Sequence, residues 1–265
     1  MNIQDKPEKL YHYTTLEGLL GILIQKALWA TKIQYLNDAS ELTKPLEIAE
    51  TMLLNINSLS VERKKEVSES GIKQINLWRD VNLCVASFCE EGDLLSQWRG
   101  YGSFGSAFSI GFKTEKIEDA ISRNGFELLQ CKYFDETGYI EAVHHSIGIA
   151  AKELISSKKN PDFMGVFIKT CSGIKLRCFQ EEKEWRIISS QPIQYDNPNL
   201  MFRRGKSMII PYYALPLDLS SIVEIVIGPC QHPGLVKSAV DGLASKYNLK
   251  NIRIRVSPTP YREFQ

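Results

Sequence analysis

Apolar periodicity changes along this chain without settling into one rhythm, and that alone excludes most regular architectures. Short β-prone runs at Leu10 to Thr14, Leu28 to Thr31, Leu83 to Phe88 and Ala107 to Phe112 read as strands. Directly after the first, Leu16, Leu19, Leu20 and Leu23 recur at i, i+3, i+4 and i+7, and Thr14-Thr15-Leu16-Glu17 has capping-box spacing, so a helix begins there. The Glu- and Lys-rich block from Glu41 to about Asp80 follows the polar turn Asn37-Asp38-Ala39-Ser40-Glu41. It is helical in pattern, broken near Asn55 to Ser60, and reads as a solvated insertion beside the sheet. Leu128 to Tyr133 reads as a strand, and Tyr139 to Lys158 and Asp162 to about Ile174 as helices. Glu184 to Ser189, Met208 to Tyr213, Val223 to Ile227 and Ile252 to Val256 then make the last third strand-rich, with one helix from Leu235 to Tyr247. A doubly wound parallel sheet needs steady alternation of strand and helix, which is missing, so the expected class is α+β. No unit repeats, and no low-complexity linker divides the chain.

The composition narrows the function classes. With 43% hydrophobic and 24% charged residues in 265, the chain has the proportions of an ordinary globular protein. Lys and Arg number 32 against 31 Asp and Glu, so no global field draws it to nucleic acid or anionic lipid, and a polyanion must meet a local patch. Six cysteines without a CxxC pair argue against a zinc site or a disulfide framework and fit a reduced cytoplasm. The stretch Leu16 to Leu28 is interrupted by Glu17, Gln25 and Lys26, short of the roughly 20 apolar residues of a membrane span. The expectation is a cytoplasmic, full-length protein with no membrane partner.

Several motifs dissolve on inspection. Gly100-Tyr101-Gly102-Ser103-Phe104-Gly105 spells a dinucleotide fingerprint, but it leads into a strand pattern where that fingerprint opens a helix. A kinase glycine loop does precede a strand, yet the kinase base and metal motifs are missing. His144-His145 lies on a helix pattern, where neighbours point about 100° apart and do not share a metal. His232, before Pro233, reads as a loop residue, and Phe202-Arg203-Arg204-Gly205-Lys206 as a solvated basic loop.

Three segments carry more. Tyr11-His12-Tyr13-Thr14 sets a histidine between tyrosines where a strand meets a helix. Glu182-Lys183-Glu184-Trp185-Arg186 puts two acids on one side of an extended segment that then turns apolar, a setting that suits a carboxylate to stabilising developing positive charge. Ser96-Gln97-Trp98-Arg99-Gly100-Tyr101 places rings and a guanidinium beside glycines, a loop able to stack on a flat heterocycle. Each alone has an ordinary reading as strand, edge or core residues.

In order, Tyr11-His12-Tyr13-Thr14, Leu28-Trp29-Ala30-Thr31, Asn37-Asp38-x-x-Glu41-Leu42, Ser87-Phe88-Cys89, Trp98 to Gly102 and Glu182-x-Glu184-Trp185-Arg186 resemble a widespread bacterial family known as a domain of unknown function. That family in turn resembles a remote branch of the ADP-ribosyltransferase superfamily, the fold shared by diphtheria toxin and the poly(ADP-ribose) polymerases. The resemblance implies a split mixed β-sheet of ADP-ribosyltransferase type with helical insertions, forming a single domain over 1–265 with an insertion at about 41–80 and helices at about 139–174.

It also implies NAD as co-substrate and no metal. His12, with Tyr13 and Thr14, matches a His followed by Gly and Ser or Thr, except at Tyr13. In that branch the His binds a ribose hydroxyl and the next residue's backbone holds the nicotinamide amide. A short helix beginning with Ser and reaching a Tyr corresponds to Ser96 and Tyr101, so Tyr101 would stack on nicotinamide, with Arg99 beside it. Glu184 would bond the ribose hydroxyl and stabilise the transition state, and Glu182 would activate the acceptor. The implied activity is transfer of ADP-ribose to a macromolecular acceptor, protein or nucleic acid, of the kind bacterial toxins and phage-defence enzymes perform. The alternatives are an NAD glycohydrolase and a catalytically silent nucleotide- or protein-binding module. On the transferase reading His12, Tyr101 and Glu184 line one cleft, and His12 and Glu184 on opposite faces of the sheet would count against it.

Overall fold

The structure, a computed structural model, describes residues 6–36, 40–55, 61–78, 82–101, 107–156, 163–205 and 207–259. Its class is α+β. The chain opens with β1 (Lys9–Thr15), α1 (Leu16–Gln25) and β2 (Ala27–Lys32), then runs through α2 (Ser40–Leu54) and α3 (Val61–Trp78) to β3 (Cys84–Cys89) and the short α4 (Leu95–Tyr101). Next come β4 (Ala107–Lys113), α5 (Thr114–Arg123), β5 (Phe126–Gln130), β6 (Lys132–Phe134), α6 (Glu136–Ser156), α7 (Phe163–Cys171) and β7 (Ile174–Leu176). The remainder is β8 (Glu184–Ser189), β9 (Leu200–Arg204), β10 (Ile209–Pro216), β11 (Ile222–Ile227), α8 (Pro233–Lys246) and β12 (Arg253–Val256).

Among the described residues ten strands form one sheet, in the order β12-β11-β4-β1-β3-β2-β10-β9, with β8 on β3 and β5 on β8. β3 is fully paired with β8 along one edge, from Val85–Ile188 to Cys89–Glu184. Its other edge is shared: β1 meets it only at Tyr11–Cys89, and β2 only at Thr31–Val85 and Lys32–Cys84. β1 then follows β4, and β2 follows β10, so the two strands diverge from one edge of β3 and the sheet splits between them.

Strand alternation sorts the side chains onto two faces. Leu10, Leu28, Phe88, Phe108, Ile187 and Leu215 pack with α1, α5 and α8 in the main core. On the opposite face Val85 and Ile188 are covered by buried residues of α2, α3, α6 and α7, while Tyr11, Tyr13 and Cys89 are covered by Trp98 of α4. The Glu- and Lys-rich block is therefore more than a solvated insertion, because Leu46, Ala49, Leu53, Val67 and Ile75 form the inner stripe of a second core.

Local differences from the sequence reading have simple causes. The cap of α1 is Thr15, the last residue of β1, whose side chain accepts from Gly18 N at 3.2 Å, and Thr14 lies within the strand, paired with Phe108. The hydroxyl of Thr14 packs against Gly18, where a Cβ would fall 1.9 Å from it. The run read as one strand at Leu128 to Tyr133 breaks at Cys131 into β5, on β8, and β6, which pairs with β7 in a separate small sheet. α5, β7 and β9 were not expected. β9 replaces part of the basic loop read at Phe202 to Lys206, and Lys206 itself lies outside the described residues, as do Asn37, Asp38 and the side chain of Glu41.

Candidate active site at the split in the sheet

The divergence of β1 from β3 leaves a gap beside His12. Its ring lies 5.6 Å from that of Phe88, and Nδ1 is 2.9 Å from the Ser87 carbonyl, a backbone acceptor on the edge of β3 that β1 has left. A carbonyl only accepts, so Nδ1 carries the proton, and in the neutral ring Nε2 is left as an acceptor. Burial holds the imidazole below its ordinary pKa; the Ser87 carbonyl opposes this and the charge of Arg203 adds to it. A histidine kept neutral in the fold contributes stability that is complete above the unfolded value of about 6.5 and is lost as pH falls through the folded value. In an NMR titration the His12 ring resonances should therefore move only below pH 6.5, and Arg203→Gln should shift that midpoint upward.

An aromatic wall stands on the α4 side. Tyr13, 2% exposed, donates its hydroxyl to the Glu91 carbonyl at 2.9 Å and accepts from Leu94 N at 2.9 Å. Its ring meets Trp98 edge-on at 4.9 Å and lies roughly parallel to Tyr101 at 6.3 Å. Trp98 is fixed by an Nε1 hydrogen bond to Asp93 Oδ1 at 2.8 Å, and Arg255 and Ser257 also donate to that carboxylate. α4 thus presents Tyr101, partly buried, inward, whereas Ser96 and Arg99 on the same helix are exposed. Burial, then the charges of Cys89, Glu184 and Glu182, push the Tyr101 phenol up to about 12, which puts the ring in the field of the acid pair. Gly102 to Gly105 lie outside the described residues.

The acids do not share a strand face as the sequence spacing suggested. Glu182 ends a 3₁₀ turn, and Lys183, at φ 41°, turns the chain before β8 begins at Glu184. A lysine joins them instead: Lys175 Nζ, from β7, lies 2.6 Å from Glu182 Oε2 and 2.7 Å from Glu184 Oε2. Arg186, two residues along β8 and on the same face, donates Nε to Glu184 Oε1 at 2.8 Å and Nη2 to Oε2 at 3.0 Å. Glu184 is 4% exposed. Burial alone would raise its pKa, but Arg186 and then Lys175 outweigh it and hold the carboxyl at about 2.

Register bears on how these groups meet. Tyr11, Cys89 and Glu184 are directly paired across β1, β3 and β8, and so are on one face; Phe88 and Trp185 are paired on the other, the face of His12 by alternation. His12 and Glu184 therefore stand on opposite faces of the sheet, against the expectation that they line one cleft with Tyr101, and this weighs against the transferase reading. The charge of Arg203 acts through space on His12 and is itself felt by Tyr101, the ring in the field of the acid pair. Lys175 is not singled out in the sequence, Arg186 stands there only as part of the acid motif and Arg203 only as part of a solvated basic loop. The i, i+2 spacing of Glu184 and Arg186 was the signal available for one of them.

Among the described residues no three His, Cys, Asp or Glu side chains converge to hold a metal ion, and no helix is long and apolar enough to cross a membrane. His144, His145 and His232 are exposed. Residues 97–187 match the family described as "Protein of unknown function (DUF2971)", in keeping with the resemblance read from Trp98 to Gly102 and Glu182 to Arg186. No curated protein matches the chain. Two solved structures match over nearly the whole length. DarT of Thermus sp. 2.9 in complex with ADP-ribosylated ssDNA is 11% identical over 94% of each chain, with a TM-score of 0.36. The same protein in complex with NAD+ is 12% identical over 95% of this chain and 96% of that one, with a TM-score of 0.35.

Proposed function

We propose that this chain is an NAD-dependent ADP-ribosyltransferase whose co-substrate occupies the split between β1 and β2. The observation that carries the reading is the divergence of those strands from one edge of β3, with His12 in the gap, Tyr13 and Tyr101 beside it, and an acid pair within the field of Tyr101. His12 Nε2 accepts from a ribose hydroxyl, and Tyr101 faces the nicotinamide ring. As the glycosidic bond breaks, its electron pair passes to the ring nitrogen, nicotinamide leaves as a neutral base, and positive charge develops on the ribose. Glu184 stabilises that charge electrostatically from a preorganised, desolvated position. The acceptor's nucleophile then bonds to the ribose carbon and gives its proton to Glu182, whose side chain, 22% exposed, is the more accessible of the two acids. The acceptor is a macromolecule, protein or nucleic acid.

A specific observation favours a second reading. Two cations already neutralise Glu184, which also stands on the opposite sheet face from His12, and a carboxylate so engaged is the hallmark of a structural ion-pair cluster, which suits a catalytically silent nucleotide-binding module. Incubation with NAD labelled on its adenylate half separates the cases. Nicotinamide release with label on a macromolecule supports the transferase, release with free labelled ADP-ribose the glycohydrolase, and saturable binding without release the silent module. For the transferase, Glu182→Gln should cut labelling of the acceptor at least tenfold while leaving nicotinamide release within about twofold. Equal loss of both would remove Glu182 from the acceptor step.

A further inference from the structure

Arg203 has no role in the chemistry above, yet its surroundings are unusual. β9 is the edge of the sheet, and the neighbours Met201, Phe202 and Arg204 are exposed. The Arg203 side chain instead turns inward onto β2. Its guanidinium carbon lies 5.6 Å from the centre of the Trp29 ring, and Nη2 is 3.3 Å from Thr31 Oγ1. Nε is buried and has no hydrogen-bond acceptor among the described residues.

The contrast with two other arginines is direct. Arg186 is bonded to Glu184, and Arg255 bridges Asp93 and Glu224. A guanidinium taken out of water is normally held by a carboxylate, because the desolvation cost is otherwise unmet. The carboxylate acting on Arg203 is that of exposed Glu17, through space, and burial outweighs it in lowering the pKa of Arg203. The result is a planar donor edge, fixed by the indole face behind it, whose Nε–H points at no acceptor among the described residues. Paired oxygens of a phosphate complete that geometry, where a lysine would supply only a point charge.

We propose that Arg203 is the anchor for the pyrophosphate of a dinucleotide held in the split, with Nε and an Nη donating to phosphate oxygens and Trp29 backing the guanidinium plane. The identity of the ligand rests on the NAD reading above, whereas the oxyanion site does not. Because Arg203 acts on His12, the pyrophosphate would sit next to the ribose that His12 contacts, on the β2–β10–β9 side of the gap. A half-buried cation whose Nε lacks an acceptor among the described residues also burdens the free protein, so its removal has a second signature: ligand-free Arg203→Met should melt at or above the wild-type temperature.

Calorimetric titration with inorganic pyrophosphate, ADP-ribose and NAD, run on wild type, Arg203→Met and Arg203→Lys, tests this. Pyrophosphate and ADP-ribose affinities should fall roughly ten- to hundredfold in Arg203→Met, the loss expected for a charged hydrogen-bonding group, with partial retention in Arg203→Lys. Wild-type affinity for ADP-ribose in Arg203→Met, or a lower melting temperature for that variant, would overturn the anchor and leave the NAD reading standing. Pyrophosphate binding by wild type without NAD or ADP-ribose binding would keep the oxyanion site and sink the NAD reading. Failure to bind any of the three would overturn both.

Discussion

Replacing Glu184 by Gln should lower stability at pH 7 by about 3–5 kcal/mol and nicotinamide release by roughly 100-fold or more. The first effect follows from the cluster alone. Gln keeps the shape but removes the charge shared by Lys175 and Arg186, 5% exposed each, and leaves Glu182 as the carboxylate on Lys175. The pH dependence supplies a check that is independent of any activity. A carboxyl held at about 2 in the fold, against an ordinary 4.5, contributes about 3 kcal/mol at 1.36 kcal/mol per unit. The sign is that of a depressed acid: the contribution is complete above pH 4.5 and disappears as pH falls through about 2. Urea unfolding of wild type should therefore lose stability between pH 4.5 and 2, and Glu184→Gln should flatten that part of the curve. The second effect is the chemical one. A folded Glu184→Gln variant with wild-type NAD turnover would take Glu184 out of catalysis, and the silent module would become the better account.

Trp98→Ala should cost about 3–5 kcal/mol, the price of emptying a large aromatic site in a core. Trp98 is 1% exposed and tightly enclosed: a Cβ on Gly228 would fall 2.8 Å from its Cε3. It also holds α4 to Asp93 and sets Tyr13 edge-on, so its loss frees the helix that presents Tyr101. NAD affinity should drop with stability. Trp98→Phe, which keeps most of the ring and loses the indole hydrogen bond, should cost about 1–2 kcal/mol. Chemical unfolding of the two variants checks both values, and a cost under about 1 kcal/mol for Trp98→Ala would mean that α4 does not depend on this anchor.

What could be read in the sequence followed burial. β1, β2, β3, β4 and β8 bury residues on both faces and show as apolar runs, and α1 announces itself by Leu16, Leu19, Leu20 and Leu23. α5 buries only Thr114, Ile117 and Ile121 in a charged stretch, and β9 leaves Met201, Phe202 and Arg204 exposed, so neither carries a pattern strong enough to outweigh a loop. The site was legible only in part for a different reason. His12, Tyr101 and Glu184 stand in distinctive local strings, but the partners that set their chemistry come from distant segments. Lys175 joins Glu184 from β7, and the charge of Arg203 acts on His12 through space from a strand read as solvated loop. The split itself depends on β1 and β2 sharing one edge of β3, a pairing that no local window contains.

A structure determined with NAD, or a non-cleavable NAD analogue, would decide whether the split is a dinucleotide site. It should hold the nicotinamide against Tyr101, a ribose hydroxyl on His12 Nε2 and the pyrophosphate on Arg203. Saturating ligand found on another surface, or a split left unchanged with His12, Tyr101 and Arg203 untouched, would contradict the account.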